Sequence, residues 1–167
     1  MSARSGTEPL ATGGGEPGAA DGLRPEGYPQ RTDPVMAKPL PVPTPTSQPF
    51  WDGLAHGELR VQHCDACGAW AHYPRHRCPR CLSDRLSWHT VEQDGTVYTF
   101  TVARRPTAPP FADEMPQVIA VVELRVGVHV TTTLVGVDPD DVRVGLPVTA
   151  VFDAQDDGVT LLRFRPV

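Results

Sequence analysis

The sequence predicts a mainly β protein in which a disordered tail leads into a short helix, a small cysteine-pinned ribbon and a five-stranded barrel. Three observations predict this order. All four cysteines fall within residues 64–81, as two Cys-x-x-Cys pairs separated by ten residues. Beyond Trp88 come five short runs rich in β-branched and aromatic residues, with turn residues between them. Residues 1–49 hold seven of the fifteen glycines and ten of the nineteen prolines.

Residues 1–49 carry few large apolar side chains, and such a composition cannot bury enough surface to offset its ordering entropy. A Gly-rich part, ATGGGEPGAADG, precedes a Pro-rich part, KPLPVPTPTSQP. The segment therefore reads as a tail or linker, flexible first and semi-rigid after, that contributes little to folding. The opening MSARSGTEPL has no apolar h-region, so a cytoplasmic chain without disulfides is expected. No run of eighteen apolar residues is present to span a bilayer, and a net charge of −5 offers no general attraction for nucleic acid.

From Phe50, the stretch FWDGLAHGEL spaces Phe50, Trp51, Leu54 and Leu59 for a helix of about two turns. Gly53 and Gly57 weaken it, so packing of its aromatic face on a neighbour must hold it in place. That face either caps the core of its own domain or docks a partner. The alternating LRVQH at residues 59–63 reads as a strand entering the first cysteine pair, and residues 69–74 lead back out. In each pair the tight turn brings both thiolates to one side, and two facing pairs complete a tetrahedron of soft ligands around one structural Zn²⁺. Iron takes the same four ligands, and spacing alone does not separate the two metals. Gly68 follows the first pair, where a left-handed residue is expected; Leu82 follows the second, making that knuckle the less regular one. The neighbouring His63, His72, His76 and His89 are left outside a complete four-cysteine shell.

The five barrel runs are residues 96–102 (TVYTFTV), 118–124 (VIAVVEL), 128–134 (VHVTTTL), 148–152 (VTAVF) and 159–164 (VTLLRF). Hairpin signals lie at residues 125–127 and 155–158, and Asp138-Pro139 suits the start of one helical turn after the third run. Five short strands with an insertion after the third describe a Greek-key barrel of the OB type, whose closure removes exposed sheet edges. The boundaries that follow are a tail at 1–49, helix and ribbon at 50–87, and barrel at 88–167. The loop at residues 103–117 carries four prolines, Arg104, Arg105 and Phe111, a composition suited to a semi-ordered binding element.

The motifs FWDGL, GELRVQHCDACGAWAHYPRHRCPRC, DGTVYTFTVARRP, MPQVIAVVEL, LVGVDPDDVRVGLPVTAVF and FRPV, in this order over about residues 50–167, resemble the DUF35 family. The resemblance implies an N-terminal helix, a rubredoxin-like zinc ribbon and an OB barrel, with Cys64, Cys67, Cys78 and Cys81 as the metal ligands. Leu82, and Glu92-Gln93-Asp94 before Gly95, depart from the family pattern and touch loop shape only. It further implies a non-catalytic accessory subunit of a thiolase-like condensing or aldol-cleaving enzyme, or of a MaoC-type hydratase, handling acyl-CoA thioesters in steroid side-chain or other lipid degradation. Acyltransfer complexes of polyketide-like pathways are a further setting for the family.

The residues agree with an accessory role. No Ser, Cys or Lys nucleophile with an adjacent base is legible, and four cysteine ligands leave the metal no open position, so no catalytic residue is assigned. Phe50, Trp51, Arg104, Arg105 and Phe111 are the residue types that dominate interfaces, and are expected to meet the partner and the acyl-CoA at the subunit boundary. Two other functions compete: a nucleic-acid-binding module, which would need a basic groove with aromatic platforms, and an independent enzyme.

Overall fold

The computed structural model describes residues 38–156 and 158–167, and residues 1–37 of the tail expected at 1–49 lie outside the described residues. Helix α1 (Gln48–Ala55) is followed by three ribbon strands, β1 (Leu59–Cys64), β2 (Trp70–Ala71) and β3 (Leu86–Val91). Five barrel strands come next: β4 (Asp94–Ala103), β5 (Gln117–Leu124), β6 (His129–Leu134), β7 (Pro147–Ala154) and β8 (Thr160–Pro166). Short 3₁₀ turns lie at Pro109–Glu114 and Pro139–Asp141. Among the described residues no helix is long and apolar enough to cross a membrane.

Helix α1 begins two residues ahead of the expected Phe50, with Pro49 in its first turn, where a missing N–H costs nothing. Gly57, at φ +71°, ends it: the Gly57 amide bonds Leu54 O at 3.1 Å and the Glu58 amide bonds Gly53 O at 2.8 Å, the paired closure of a Schellman motif. Gly53 has a packing reason to interrupt the helix. A Cβ there would stand 2.8 Å from Arg60 Cγ and 2.9 Å from the Glu58 carbonyl oxygen, so only glycine lets β1 come this close.

The ribbon sheet has order β2-β1-β3. β3 pairs with β1 over its whole length, from Leu59↔Val91 to Cys64↔Leu86. The sequence did not announce this strand, because LSWHTV has little alternation; in the fold its residues are half-buried or, at His89 and Thr90, exposed. A border between residues 87 and 88 therefore falls inside β3, and the ribbon sheet continues to Val91. Buried Gln62 on β1 exchanges two bonds with Arg75, Nε2 to Arg75 O at 3.0 Å and Oε1 from Arg75 N at 2.8 Å, which ties the loop between the cysteine pairs to the sheet.

The barrel closes in the order β4-β5-β6-β8-β7, with β7 returning to β4. Its one parallel contact, β6 with β8, is the single register pair Leu134↔Phe164, supported by Val135 N to Phe164 O at 2.8 Å. Phe164 is fully buried at this closure and belongs to the barrel core with Val97, Val118, Val122, Val130 and Val148. The turn expected at Asp138 is present, with Asp138 Oδ1 accepting from the Asp140 amide at 2.9 Å. Both expected hairpins form, with Gly127 and Gly158 left-handed in their turns.

The described end of the tail is not free chain. Lys38 pairs with Glu114 and stands 5.9 Å from the Phe111 ring centroid, while Thr46 Oγ1 lies 2.7 Å from His76 Nε2. Prolines that disfavour helix and strand still allow such a strap, because its bonds to Glu114 and His76 run from side chains, and a turn at residues 45–47 leads it into α1. Deleting residues 1–47 is expected to lower the melting temperature by a few degrees relative to deleting residues 1–37, through loss of roughly 1 kcal/mol of exposed polar contacts, read by differential scanning calorimetry. Phe164→Ala is expected to cost about 3–5 kcal/mol in urea unfolding, because it opens a cavity where the barrel closes.

Candidate functional site

The two cysteine knuckles have the same backbone. Gly68 and Leu82 each follow the second cysteine of their pair at φ +72° and +61°, and their amides bond back to Cys64 O at 2.8 Å and Cys78 O at 2.9 Å. The second knuckle is thus as regular as the first, with a left-handed leucine doing what glycine does without strain. The turns bring four free thiols together: Cys64 and Cys81 Sγ are 3.6 Å apart, Cys67 and Cys78 Sγ 3.7 Å, and all four sulfurs lie within 4.8 Å of one another.

These separations fit one zinc ion. A tetrahedron with Zn–S bonds of about 2.3 Å has S···S edges of about 3.8 Å, whereas bonded sulfurs would lie about 2.05 Å apart. Electrostatics also calls for a cation. Burial resists ionisation of Cys78, but the amides of Cys81 and Arg80 and the surrounding thiols together bring it down to about 6. The Ala69 amide favours the Cys67 thiolate, yet the three other thiols and burial outweigh it and push Cys67 up to about 12. Cys78 thus yields its proton readily while Cys67 resists, and a bound cation favours the thiolate at both.

A second feature is an apolar groove of about 620 Å³. Phe50 and Trp51 of α1, with His72 and Tyr73 from between the cysteine pairs, line one side; Ile119, Leu161 and Leu162 line the other. Consecutive residues of β6 and β8 reach it, because these strands share one register pair and then part, with Thr132 Oγ1 bonding Leu162 O at 2.9 Å across the seam. At its rim Arg163 is held by Asp153 Oδ2 at 2.6 Å and by Thr133 Oγ1 at 2.8 Å. Burial lowers His72 to about 4, so it is a neutral imidazole in this wall near pH 7.

Of the residues expected at a partner surface, the structure brings Phe50 and Trp51 together in the groove, in edge-to-face contact at 5.2 Å. Phe50 is only 8% exposed and belongs to the core, so Trp51 is the freer of the two. Arg104, Arg105 and Phe111 do not line the groove. Arg104 lies 3.8 Å from Asp140, Arg105 is exposed, and Phe111 sits beneath Lys38. The 103–117 loop meets the groove only at Gln117. His72, Leu161 and Leu162 were missed because their place depends on the seam between two strands far apart in sequence.

Three outcomes follow. Cys67→Ser is expected to take zinc from one equivalent per chain to near none by elemental analysis, with loss of the ribbon's hydrogen-exchange protection. Leu82→Gly is expected to raise stability by up to about 1 kcal/mol in urea unfolding, since relief of a left-handed side chain exceeds the entropy that glycine adds to the unfolded chain. His72 binds a proton more readily unfolded, near 6.5, than folded, near 4, so its contribution is full above pH 6.5 and is lost as pH falls towards 4. Melting curves across this window are expected to be flatter for His72→Phe than for the unaltered chain.

Two family models match the chain: "ChsH2, rubredoxin-like zinc ribbon domain" over residues 51–87 and "ChsH2, C-terminal OB-fold domain" over residues 88–153. A probable enoyl-CoA hydratase alpha subunit from Thermomonospora curvata is 39% identical over 83% of this chain and 44% of its own length. A 3-oxo-4,17-pregnadiene-20-carboxyl-CoA hydratase alpha subunit from Mycobacterium tuberculosis is 37% identical over 62% of this chain and 32% of its own. The chain therefore spans less than half the length of these two relatives. It matches most of a DUF35 domain-containing scaffold protein from Methanocaldococcus jannaschii, at 34% identity over 62% of this chain and 78% of that protein. Among solved structures, a chain of an Ltp2-ChsH2(DUF35) aldolase superposes with a TM-score of 0.69 at 35% identity, over 76% of this chain and 98% of that one. With its helix, rubredoxin-like zinc ribbon, site for one zinc ion and closed OB barrel, the chain belongs to the DUF35 family.

Proposed function

We infer that the chain is a non-catalytic accessory subunit, which holds its zinc structurally and helps a thiolase-like or MaoC-type hydratase partner to bind and handle acyl-CoA thioesters. The observation that carries this reading is the apolar groove between α1 and the β6–β8 seam, about 620 Å³ and walled by Trp51, His72, Ile119, Leu161 and Leu162. Its size and lining suit a small apolar ligand or an acyl chain. A neutral His72 adds no charge to the wall, and the Arg163 guanidinium at the rim is paired with Asp153. Relatives named as hydratase alpha subunits, and a solved relative in an aldolase, support the partner class.

Zinc in this arrangement is a staple. Four thiolates complete its shell, so Cys64, Cys67, Cys78 and Cys81 hold the ribbon's shape and present α1 and the residue 72–74 segment to the groove. Reacting groups come from the partner, and the acyl-CoA lies at the subunit boundary. Phe50 backs the groove from the core, Trp51 meets the acyl portion or the partner, and Arg104 and Arg105 supply cations for CoA phosphates or a partner carboxylate, with Phe111 as an apolar contact beside them. A steroid side-chain or other lipid acyl-CoA suits the lining, a reducing cytoplasm suits the thiols, and a net charge of −5 gives nucleic acid no general attraction.

The test uses the co-purified complex. Trp51→Ala, and separately Arg104→Ala with Arg105→Ala and Phe111→Ser, are expected to reduce partner co-elution or to raise the partner's KM for acyl-CoA about tenfold, the effect of one or two interface side chains. Unchanged co-elution and unchanged turnover in both variants, with zinc and melting temperature intact, would sink this assignment.

A further inference from the structure

One group of chemically capable side chains belongs neither to the four-thiol centre nor to the groove. His63, Asp65 and His89 offer two imidazole nitrogens and a carboxylate oxygen, all within 4.8 Å of one another. Strand register assembles them. β1 and β3 run antiparallel with His63 opposite Ser87, so His63 and Asp65, two residues apart, share a face with Ser87 and His89. Trp70 of β2 pairs with His63 and walls that face, its ring centroid 4.8 Å from His63 and 5.7 Å from His89. Cys64 lies between His63 and Asp65 in sequence, and the alternation of β1 sends its side chain to the opposite face. The same alternation separates these histidines from the four-thiol shell.

The polar contacts converge on one point. Ser87 Oγ donates to Asp65 Oδ1 at 2.7 Å and lies 3.0 Å from His89 Nε2, with His63 O at 3.4 Å. Asp65 Oδ1 is 3.5 Å from His63 Nδ1. The serine donates to Asp65 directly, whereas an acyl-transfer triad needs the carboxylate behind the imidazole to orient it. The cluster is therefore not built as a nucleophile. It is built as a donor set: two nitrogens on paired strands that fix the spacing of the rings, and one oxygen from the turn that follows β1.

We propose that His63, Asp65 and His89 form a second, exchangeable binding site for a divalent transition-metal ion, on the face of the ribbon opposite Cys64. Two imidazoles with one carboxylate suit Zn²⁺, Ni²⁺, Cu²⁺ or Fe²⁺ rather than Mg²⁺ or Ca²⁺, which take oxygen donors. Three protein ligands leave at least one coordination position open, in contrast to the closed four-thiol shell. Asp65 and His89 are exposed, so small side-chain rotations bring the donors to bonding distance and the ion exchanges with solvent. The metal takes the Asp65 oxygen that Ser87 holds, and the serine hydroxyl turns to His63 O or to water.

The experiment titrates the full chain, carrying its zinc, with Ni²⁺, which suits nitrogen and oxygen donors and fits a tetrahedral four-thiol shell poorly. Calorimetry is expected to show one further equivalent bound with micromolar affinity, while elemental analysis shows the zinc retained. His89→Gln and, separately, Asp65→Asn are expected to weaken Ni²⁺ binding by at least the roughly 10–100-fold that follows loss of an outer-shell partner, because each removes a ligand itself. Unchanged zinc content and melting temperature show that the exposed substitutions leave the fold intact, and His56→Gln, just after α1, is expected to bind as the unaltered chain does. No saturable binding by the unaltered chain, or equal affinity in either ligand variant, overturns the site.

Discussion

Four thiols held within one coordination shell are the constraint on which the ribbon depends. Three short strands enclose little apolar volume, and the half-exposed β3 adds few buried contacts, so packing alone does not fix this part of the chain. Thiolates this close repel one another, and Cys67 resists ionisation where Cys78 yields readily. A bound zinc turns that repulsion into the attraction that holds β1, both knuckles and the intervening loop. The strain of a left-handed Leu82 is accepted for the same reason, because the knuckle must turn there to aim Cys81 at the metal.

Helix α1 carries that order into the barrel. Phe50 and Leu54 belong to the same contiguous core as Leu59 and Val61 of β1 and as Val148 and Phe164 of the barrel. Gly53 makes the contact close enough for this by leaving room for Arg60 and the Glu58 carbonyl. The groove is a by-product of the arrangement that becomes useful. Where β6 and β8 part after a single parallel pair, residues of both strands line the groove together with α1 and the residue 72–74 segment.

The ribbon also separates two kinds of metal chemistry by strand parity. Cys64 points into a closed, sulfur-lined shell, while His63 and Asp65, one residue to either side, meet His89 and Trp70 on the opposite face. One strand end thus serves a structural centre and presents an open, nitrogen-rich donor set, and neither set can borrow ligands from the other.

The sequence by itself determined what depends on local chemistry. The Cys-x-x-Cys spacing specified the thiol centre, the five β-branched runs specified the barrel strands to within a few residues, and Asp138-Pro139 and Gly127 specified their turns. Such features need only neighbours along the chain, so they are written in order. Tertiary structure decided what depends on residues that meet across it. LSWHTV is a strand because β1 offers it a partner, Leu82 is left-handed because Cys81 must face the metal, and the strap at residues 38–47 is held by Glu114 and His76. Tertiary structure also decided the neighbours of Arg104 and Phe111, which lie beside Asp140 and Lys38. The groove and the His63–Asp65–His89 cluster arise from strand register and a barrel seam, which are long-range pairings that no local pattern of residues encodes.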